Sequence, residues 1–270
     1  MEELTSTEQA ANVAGAFNTV AERYDSFETF DGTHLIRSRV YSMIESLVSK
    51  GSRILDINCG TGTDAVNLAL RGYNVTGLDI SSQMIEQAKR KAENKNLRIR
   101  FHVASFAELT THIEKPCDLV LSNFGGLNCV QDLASIAQSL QTIIRPSGYF
   151  IAVVMPRFSV WETLAGLSHL NLSLAIRRWK GHAVASPFHE NSFDVFYHSL
   201  RSLKQAFLPS FSLQVVIGFG IVSPPPHAAQ FATRHPKMTQ LLRSIDKKID
   251  SLPILRMMGD HVMLVFERQV

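Results

Sequence analysis

Cysteine is scarce in this sequence of 270 residues: only Cys59, Cys117 and Cys129 occur, and no two of them form a C-x-x-C pair. Three isolated cysteines argue against a disulfide framework and against a cysteine-ligated zinc site. Free thiols are typical of a reducing compartment, so we expect a cytoplasmic protein with no metal. No run approaches the ~20 apolar residues of a membrane span, and the acidic, polar N-terminus does not resemble a secretory signal. We therefore expect no membrane span.

A strong excess of one charge is also lacking. The 27 Lys and Arg residues face 24 Asp and Glu residues, which leaves a net charge of +3. The basic run Lys89 to Lys91 lies between Glu86 and Glu93, a pattern typical of a solvated helix face rather than a nucleic-acid surface. We predict no nucleic-acid partner. The composition, 45% hydrophobic and 19% charged, is that of a globular protein with a substantial core, and it leaves the oligomeric state open.

The most informative stretch that is present runs from Arg53 to Ser81. An apolar strand leads to Asp56, a turn contains Gly60 and Gly62, a helix follows, and Asp79 ends a second strand. Glycine lets the backbone bend sharply and leaves room for a ligand, which the first amides of the helix then face. A carboxylate ~20 residues after such a turn can accept hydrogen bonds from both hydroxyls of a ribose. The stretch predicts a cofactor that contains adenosine.

Two classes of cofactor fit this pattern. Gly60-x-Gly62-x-x-Ala65 matches the dinucleotide fingerprint loosely. The fuller phrase from Asp56 to Gly62 resembles motif I of the class I S-adenosylmethionine-dependent methyltransferases of small molecules, and Gly77 to Ser81 followed by Met84 resembles their next motif. Two further phrases are similar to later landmarks of that family, namely 118–124 to motif IV and 145–150 to the turn before strand five. The resemblance covers about 54–154 and implies S-adenosyl-L-methionine as cofactor and S-adenosyl-L-homocysteine as product.

The sequence departs from the family at two positions. Asn58 replaces the usual first glycine, and it suits the turn because Asn tolerates positive φ. Ser105 stands where many relatives carry the acid that holds adenine, so we predict that Ser105 and Phe106 make this contact. Tyr24 belongs to a phrase similar to an N-terminal motif of quinone-biosynthesis methyltransferases, where the tyrosine lies near the methionine end of the cofactor. The cofactor site that the resemblance implies contains Tyr24, Asp56, Asn58, Gly60, Thr61, Gly62, Asp79, Ile80, Met84, Ser105, Phe106 and Asn123.

Strands alternate with helices along the middle of the chain, which predicts an α/β fold. We expect a doubly wound, mostly parallel seven-stranded sheet with an antiparallel C-terminal strand, an N-terminal helical lid, and a helical insertion after strand five. The single domain divides into lid helices (1–50), a cofactor-binding core (51–155), a substrate-side insertion of one or two amphipathic helices (156–198) and a C-terminal part that completes the sheet (199–270). The first five strands are predicted at 53–58, 74–79, 98–103, 118–122 and 149–154.

The methyl acceptor is expected at the carboxyl edge of the sheet, between the lid and the insertion. Aromatic and aliphatic walls favour a small, largely apolar organic molecule, and the predicted substrate-binding residues are His34, Phe124, Asn128, Met155, Arg157 and Trp161. His198 is the candidate catalytic base because imidazole titrates near neutrality, with His34 and His227 as alternatives. The acceptor atom, O, C or N, stays open. An NAD(P)-dependent oxidoreductase and a non-catalytic nucleoside-binding relative are the alternative functions.

Overall fold

The computed structural model describes residues 6–27, 31–185 and 192–270, and of Phe27, Asp31 and His227 it describes the backbone alone. Nine strands lie in two sheets. The seven-stranded sheet contains β1 (Arg53–Asp56), β2 (Asn74–Asp79), β3 (Arg100–Val103), β4 (Cys117–Ser122), β5 (Ile144–Val154), β8 (Phe211–Phe219) and β9 (His261–Arg268). The two-stranded sheet contains β6 (His182–Ala185) and β7 (Phe193–Phe196). These counts refer to the described part of the chain.

The large sheet has the strand order β3-β2-β1-β4-β5-β9-β8. Neighbouring strands from β3 to β5 are parallel, whereas β9 runs antiparallel to both β5 and β8. The predicted fold class is confirmed, including the antiparallel C-terminal strand. Because the carboxyl ends of β1, β2 and β4 meet at one edge, the segments that follow these strands come together there.

Helices cover both faces of the sheet, because each pair of successive parallel strands is joined by a crossover connection. Three further α-helices of the described ranges precede β1 in the chain. The bounds of the helices are α1 (Ser6–Val20), α2 (Tyr24–Phe27), α3 (Asp31–Leu47), α4 (Thr63–Leu70), α5 (Ser82–Glu93), α6 (Leu133–Ile143), α7 (Val160–Ser168), α8 (Leu172–Ala175), α9 (Leu200–Phe207), α10 (Ala229–Arg234) and α11 (Pro236–Ile249). Side-chain caps set several starts: the Ser81 hydroxyl accepts the N–H of Met84, and the Asp132 carboxylate accepts the N–H of Ala134.

Two apolar layers hold the sheet. On one face, Phe207 of α9 stacks on Phe150 and Phe266 with ring centroids 5.3 and 4.6 Å apart, beside the buried residues of α6. On the other face, α3, α4 and α5 bury their apolar stripes, with Ile44 and Leu68 fully enclosed. These layers fix the carboxyl edge on which the candidate site is built.

The insertion differs from its prediction. Helices α7 and α8 lie at 160–168 and 172–175, but 182–185 forms strand β6 rather than helix and pairs antiparallel with β7 at 193–196. Each strand has four residues, too few for an alternating pattern to stand out against a helical one. Residues 186–191 and part of the predicted lid, at 1–5 and 28–30, lie outside the described ranges. Among the described helices, none is both long and apolar enough to cross a membrane.

Candidate functional site

The glycine turn after β1 has the conformation that its sequence predicts, with one correction. Positive φ occurs at Gly60 (+53°) and Gly62 (+77°), but not at Asn58. A Cβ on Gly62 would lie 2.8 Å from the Cβ of Ala88 in α5, whereas a Cβ on Gly60 would meet nothing within 4 Å. Gly62 is therefore required by close packing, and Gly60 faces open space.

Asn58 acts through its side chain instead. Its Nδ2 donates to the carbonyl of Asn123 (2.6 Å), and its Oδ1 accepts the hydroxyl of Ser122 (2.6 Å). A Cβ on Gly126 would come within 2.3 Å of the Asn58 Cγ. The amide thus joins the end of β1 to the end of β4, a role that a glycine at this position could not fill.

Asp79 stands where the ribose acid is predicted. Its Oδ2 accepts the N–H of Gly60 (2.8 Å) and its Oδ1 accepts the N–H of Ser81 (2.9 Å). Burial raises the pKa of Asp79, while these amides act in the opposite direction. A carboxylate accepts about four hydrogen bonds and the backbone of Gly60, Ile80 and Ser81 supplies three, so Asp79 keeps a lone pair for a sugar hydroxyl.

Asp56 is the second buried acid at this edge. It is 1% exposed, and within the described residues neither side-chain oxygen has a hydrogen-bond partner. Burial first, and then the charges of Asp64 and Asp79, raise its pKa well above the usual value. A buried polar group without a partner is costly, so this carboxyl is a candidate for a bond to a ligand amine.

Asp64, in the first turn of α4, accepts a set of hydrogen bonds that the sequence did not predict. Its Oδ1 accepts the Arg37 Nε (2.9 Å) and the hydroxyl of Tyr41, and its Oδ2 accepts Nδ2 of Asn123 (3.0 Å). The Arg37 guanidinium also lies over the ring of Phe124, 4.7 Å from its centroid. Asn123, predicted to bind cofactor, therefore uses its amide to connect β4 to α4 and α3.

Ser105 follows β3 as predicted, but its hydroxyl has a partner. Ser105 donates from its Oγ (2.8 Å) and from its backbone N–H (2.9 Å) to the same oxygen of Glu108. These two bonds lower the pKa of the Glu108 carboxyl. Ser105 is thus an acceptor toward any ligand, and a carboxylate stands behind it, three residues later than the family places its acid.

The N-terminal helices are attached to the glycine turn. Asp25, next to Tyr24, lies 2.8 Å from Lys91 Nζ, which also donates to Thr61 and Thr63. The Thr61 hydroxyl donates to Asp25 as well. The predicted residues Tyr24 and Met84 pack together beneath this contact. We call the group Asp25, Lys91, Thr61 and Thr63 the latch.

A cavity of about 1730 Å³ opens along this edge. Its lining includes five residues predicted to bind the cofactor, Asn58, Asp79, Ile80, Ser105 and Phe106, and the catalytic candidate His198. Helix α1 and the pair β6–β7 form the cover, because Gln9 donates to the Asp194 carbonyl (2.7 Å) and accepts the Asp194 N–H (3.1 Å). The cavity thus lies between lid and insertion.

Of the predicted substrate-binding residues, Arg157 lines this cavity, and its Nη2 donates to the carbonyl of Trp179 (2.9 Å). The other five do not line it. His34 is exposed on α3, Phe124 packs under Arg37, and the Trp161 indole donates to the Val222 carbonyl on the outer side of α7. Asn128 is completely buried, and its amide bonds the backbone of Met155 and Phe196. Phe193, Phe196 and Tyr197 supply the aromatic wall instead.

Two imidazoles line the cavity, those of His182 and His198. His198 Nε2 lies 3.0 Å from the Val130 carbonyl and 3.3 Å from that of Leu127, so Nε2 carries the proton and Nδ1 is the basic atom. Burial lowers the pKa of His198, which keeps the ring neutral at pH 7. His182, which the sequence did not single out, has its Nε2 2.7 Å from the Asp194 carboxylate. In the described ranges no group of three or more His, Cys, Asp or Glu side chains could hold a metal ion.

The residues at this edge fit the predicted cofactor. Open space at Gly60, lone pairs on Asp79 and the Asp56 carboxyl, which has no hydrogen-bond partner among the described residues, all lie where β1 and β2 end. The first two suit a ribose, and the Asp56 carboxyl suits a positively charged amino group. Asp79, Asp56 and the backbone of the glycine turn would hold the sugar and the amino acid part of S-adenosylmethionine, and Ser105 the base.

Comparisons with known proteins agree with this geometry. Residues 48–157 match the family model described as a methyltransferase domain. The chain is 37% identical over 98 residues to a tRNA 5-carboxymethoxyuridine methyltransferase of Escherichia coli (strain K12), which covers 36% of this chain and 37% of that protein. It is 31% identical over 160 residues to a demethylmenaquinone methyltransferase of Beutenbergia cavernae, covering 57% and 63%. These matches span less than two thirds of the relatives' lengths.

One solved structure shares nearly the whole fold. It is the magnesium protoporphyrin IX methyltransferase (ChlM) of Synechocystis PCC 6803 with bound SAH, with a TM-score of 0.61 and 16% identity, covering 97% of this chain and 100% of that one. At this identity the likeness is one of fold.

Proposed function

We propose that this chain, whose residues 48–157 form a methyltransferase domain, transfers a methyl group from S-adenosylmethionine to a small, largely apolar organic molecule. The observation that carries the proposal is one continuous cavity that is lined by Asp79 and Ser105 and also by Arg157, His182 and His198. A donor bound at Asp79 and Ser105 and an acceptor bound beside the two imidazoles would meet above the carboxyl edge of the sheet. The aromatic wall of Phe193, Phe196 and Tyr197 supports an apolar acceptor.

The contribution of the protein is alignment and exclusion of water. When bound, the cofactor supplies a methyl group on a sulfonium sulfur, and in-line displacement by the acceptor atom breaks the S–CH3 bond and leaves S-adenosylhomocysteine. Helix α1 and the pair β6–β7 shield the reacting atoms, and the latch holds the lid against the turn. Fixing two reactants in line lowers the barrier by removing translational and rotational freedom. Few side chains with acid–base chemistry are needed.

Where the acceptor atom must lose a proton, an imidazole of the cavity takes it. His198 remains the predicted base. Its Nε2 donates to the carbonyls of Leu127 and Val130, so the other ring nitrogen, Nδ1, can accept a proton. His182 is the second candidate, because the Asp194 carboxylate would stabilise the imidazolium formed on proton uptake. We expect the His→Gln variant of the true base to lose about 10²–10⁴-fold in kcat, with the affinity for S-adenosylhomocysteine unchanged. If both variants keep full kcat, no general base is used.

The first experiment measures thermal unfolding with S-adenosylhomocysteine or with NADH. Stabilisation by the first alone is expected, since a ligand that binds the native state raises its melting temperature. Stabilisation by NADH alone would overturn the proposal in favour of an oxidoreductase.

The second experiment supplies cofactor with a labelled methyl group to three acceptor pools, namely a lipid extract, polar metabolites and bulk tRNA. Label in the lipid extract is expected. The Escherichia coli relative makes tRNA the second candidate acceptor, because it is named for a tRNA substrate. Label in tRNA would replace the small-molecule proposal, and binding without transfer to any pool would favour a non-catalytic relative.

A further inference from the structure

One side of the molecule exposes apolar side chains in an unusual number. On the insertion, Leu170 is 91% exposed and Leu172 67%, with Leu164 and Leu167 more than 45% exposed beside them. On α11, Met238, Leu241 and Ile245 form a stripe at helical spacing, and Leu241 is 61% exposed. We call these seven side chains the leucine face. Exposed apolar groups of this extent mark an interaction surface.

The two parts of the leucine face are connected through α10. Trp161 of α7 packs its ring edge on Phe231 of α10, with centroids 5.2 Å apart, and its indole N–H donates to the Val222 carbonyl (3.0 Å). Helix α10 leads directly into α11 and packs on it. The insertion and α11 therefore belong to one side of the molecule.

Positive charge is concentrated in the same segments. Residues 156–182 and 223–249 hold nine of the 27 Lys and Arg residues but only two of the 24 Asp and Glu residues. Those two acids are buried. Glu162 pairs with Arg177 and with the buried Arg178, and Asp246 accepts the backbone N–H of Val222, so seven of the nine cations stand outside this ion-pair cluster. Lys237, Lys247 and Lys248 are exposed on α11. The rest of the chain is acidic, with 18 basic against 22 acidic residues.

We propose that the leucine face docks on the surface of an anionic lipid bilayer. The partner must cover apolar side chains and neutralise lysines at once, and a bilayer with anionic headgroups offers both. Nucleic acid would neutralise the lysines but leave Leu170 and Leu241 in water. A symmetric second copy would bring one set of lysines against another, which costs energy.

The position of this face relative to the cavity suits an acceptor drawn from a membrane. Arg157 and Lys180 line the cavity and belong to the same insertion, and Trp179 between α8 and β6 is 51% exposed. A tryptophan with one apolar and one polar side is typical of the interface between lipid and water. This last step rests on the proposed function, whereas the membrane contact does not.

The test is co-sedimentation of the full chain with vesicles of phosphatidylcholine containing a quarter phosphatidylglycerol. We expect binding to these vesicles, little binding to pure phosphatidylcholine, and loss of binding in ~1 M salt, where charges are screened within about 3 Å. The variant Leu170→Ser/Leu241→Ser should bind at least about tenfold more weakly, because even partial burial of two leucines exceeds the free energy of a tenfold change in affinity. Lys237→Glu/Lys248→Glu should weaken binding about tenfold or more.

Matched controls lie on other helices. Leu70→Ser removes a leucine of α4 that is 57% exposed, and Lys89→Glu reverses an exposed charge of α5. Both should bind vesicles like the wild type, and all variants should bind S-adenosylhomocysteine equally, which shows that they are folded.

Three results would overturn the proposal. The first is equal sedimentation of the protein with and without the anionic lipid. The second is a wild-type dimer in light scattering that the variant Leu170→Ser/Leu241→Ser dissociates. The third is binding of bulk tRNA that anionic vesicles do not displace.

Discussion

At the glycine turn, the Asp79 carboxylate has two tasks, since it accepts backbone N–H groups from Gly60 and Ser81 and keeps lone pairs for a ligand. Asp79→Asn retains one acceptor but loses the charge. We expect it to weaken S-adenosylhomocysteine binding by about 1–3 kcal/mol, the range of charge-assisted hydrogen bonds. Titration calorimetry measures this change.

The control is Asp118→Asn. Asp118 pairs with Arg145 (2.6 Å) at the opposite end of β4, so this variant should bind the ligand like the wild type. Unchanged affinity in a folded Asp79→Asn variant would contradict the assignment of Asp79 to the ribose.

The buried carboxyl of Asp56 predicts a pH dependence. Its pKa is raised in the folded state, so folding is favoured where the group keeps its proton and loses that contribution as pH rises through the folded pKa. Asp56→Asn removes the cost of burying a charge. We expect its melting temperature to exceed that of the wild type near neutral pH, with a difference that shrinks toward about pH 4, the ordinary aspartate value.

Thermal unfolding of both proteins across this pH range is the measurement. A variant that is less stable at every pH would show that the Asp56 charge is compensated in the folded chain. If the more stable variant binds S-adenosylhomocysteine more weakly, the Asp56 carboxylate destabilises the free protein but contributes to ligand binding.

Among the elements, the N-terminal lid depends on the latch. Lys91→Met removes the cation that joins Asp25 to Thr61 and Thr63. Because this pair is partly exposed, we expect the free energy of unfolding to fall by less than about 1 kcal/mol. Residues 6–27 should nevertheless exchange their amide hydrogens faster, and S-adenosylhomocysteine should dissociate faster.

Arg90→Met is the matched control, because Arg90 pairs with Glu86 within the same helix α5. It should change neither hydrogen exchange of the lid nor ligand dissociation. Equal exchange rates in Lys91→Met and the wild type would show that packing of α1, rather than the latch, holds the lid.

Sequence patterns predicted long elements well and short ones poorly. Strand β2 has its predicted bounds, Asn74–Asp79, because Gly72 precedes it and the Asp79 carboxylate ends it. The strand before Gly60 ends at Asp56 rather than at residue 58, because the turn begins earlier than the apolar run suggests. Strand β6 and its pairing with β7 escaped prediction, because the two strands are stabilised by α1 and by each other across a gap in sequence.

At the scale of the whole molecule, Arg178 connects the insertion to the sheet. It is 4% exposed, donates to Glu162 of α7, and donates twice to Asp260 before β9. We expect Arg178→Met to lower the free energy of unfolding by about 3–5 kcal/mol, because two buried carboxylates lose the buried cation that they share. Urea denaturation measures this loss.

Arg177→Met provides the comparison, since Arg177 also bonds Glu162 but is far more exposed. Its cost should not exceed about 1 kcal/mol. Similar values for the two variants would mean that water reaches Glu162 and that Arg178 does not bridge insertion and sheet.

The sequence by itself determined the α/β sheet, which is confirmed, and the segment that matches a methyltransferase domain, residues 48–157. These depend on short segments: a strand, a glycine turn and a helix place Gly60 and Gly62 relative to one another within ten residues. The individual site residues stay predictions.

Only the tertiary structure decided which side chains line the cavity. Phe124 and Trp161 do not line it, whereas Phe193, Phe196 and His182 of the strand pair β6–β7 do. The reason is physical: an apolar or imidazole side chain packs equally well against several surfaces, and the surface it meets depends on contacts between segments far apart in the chain.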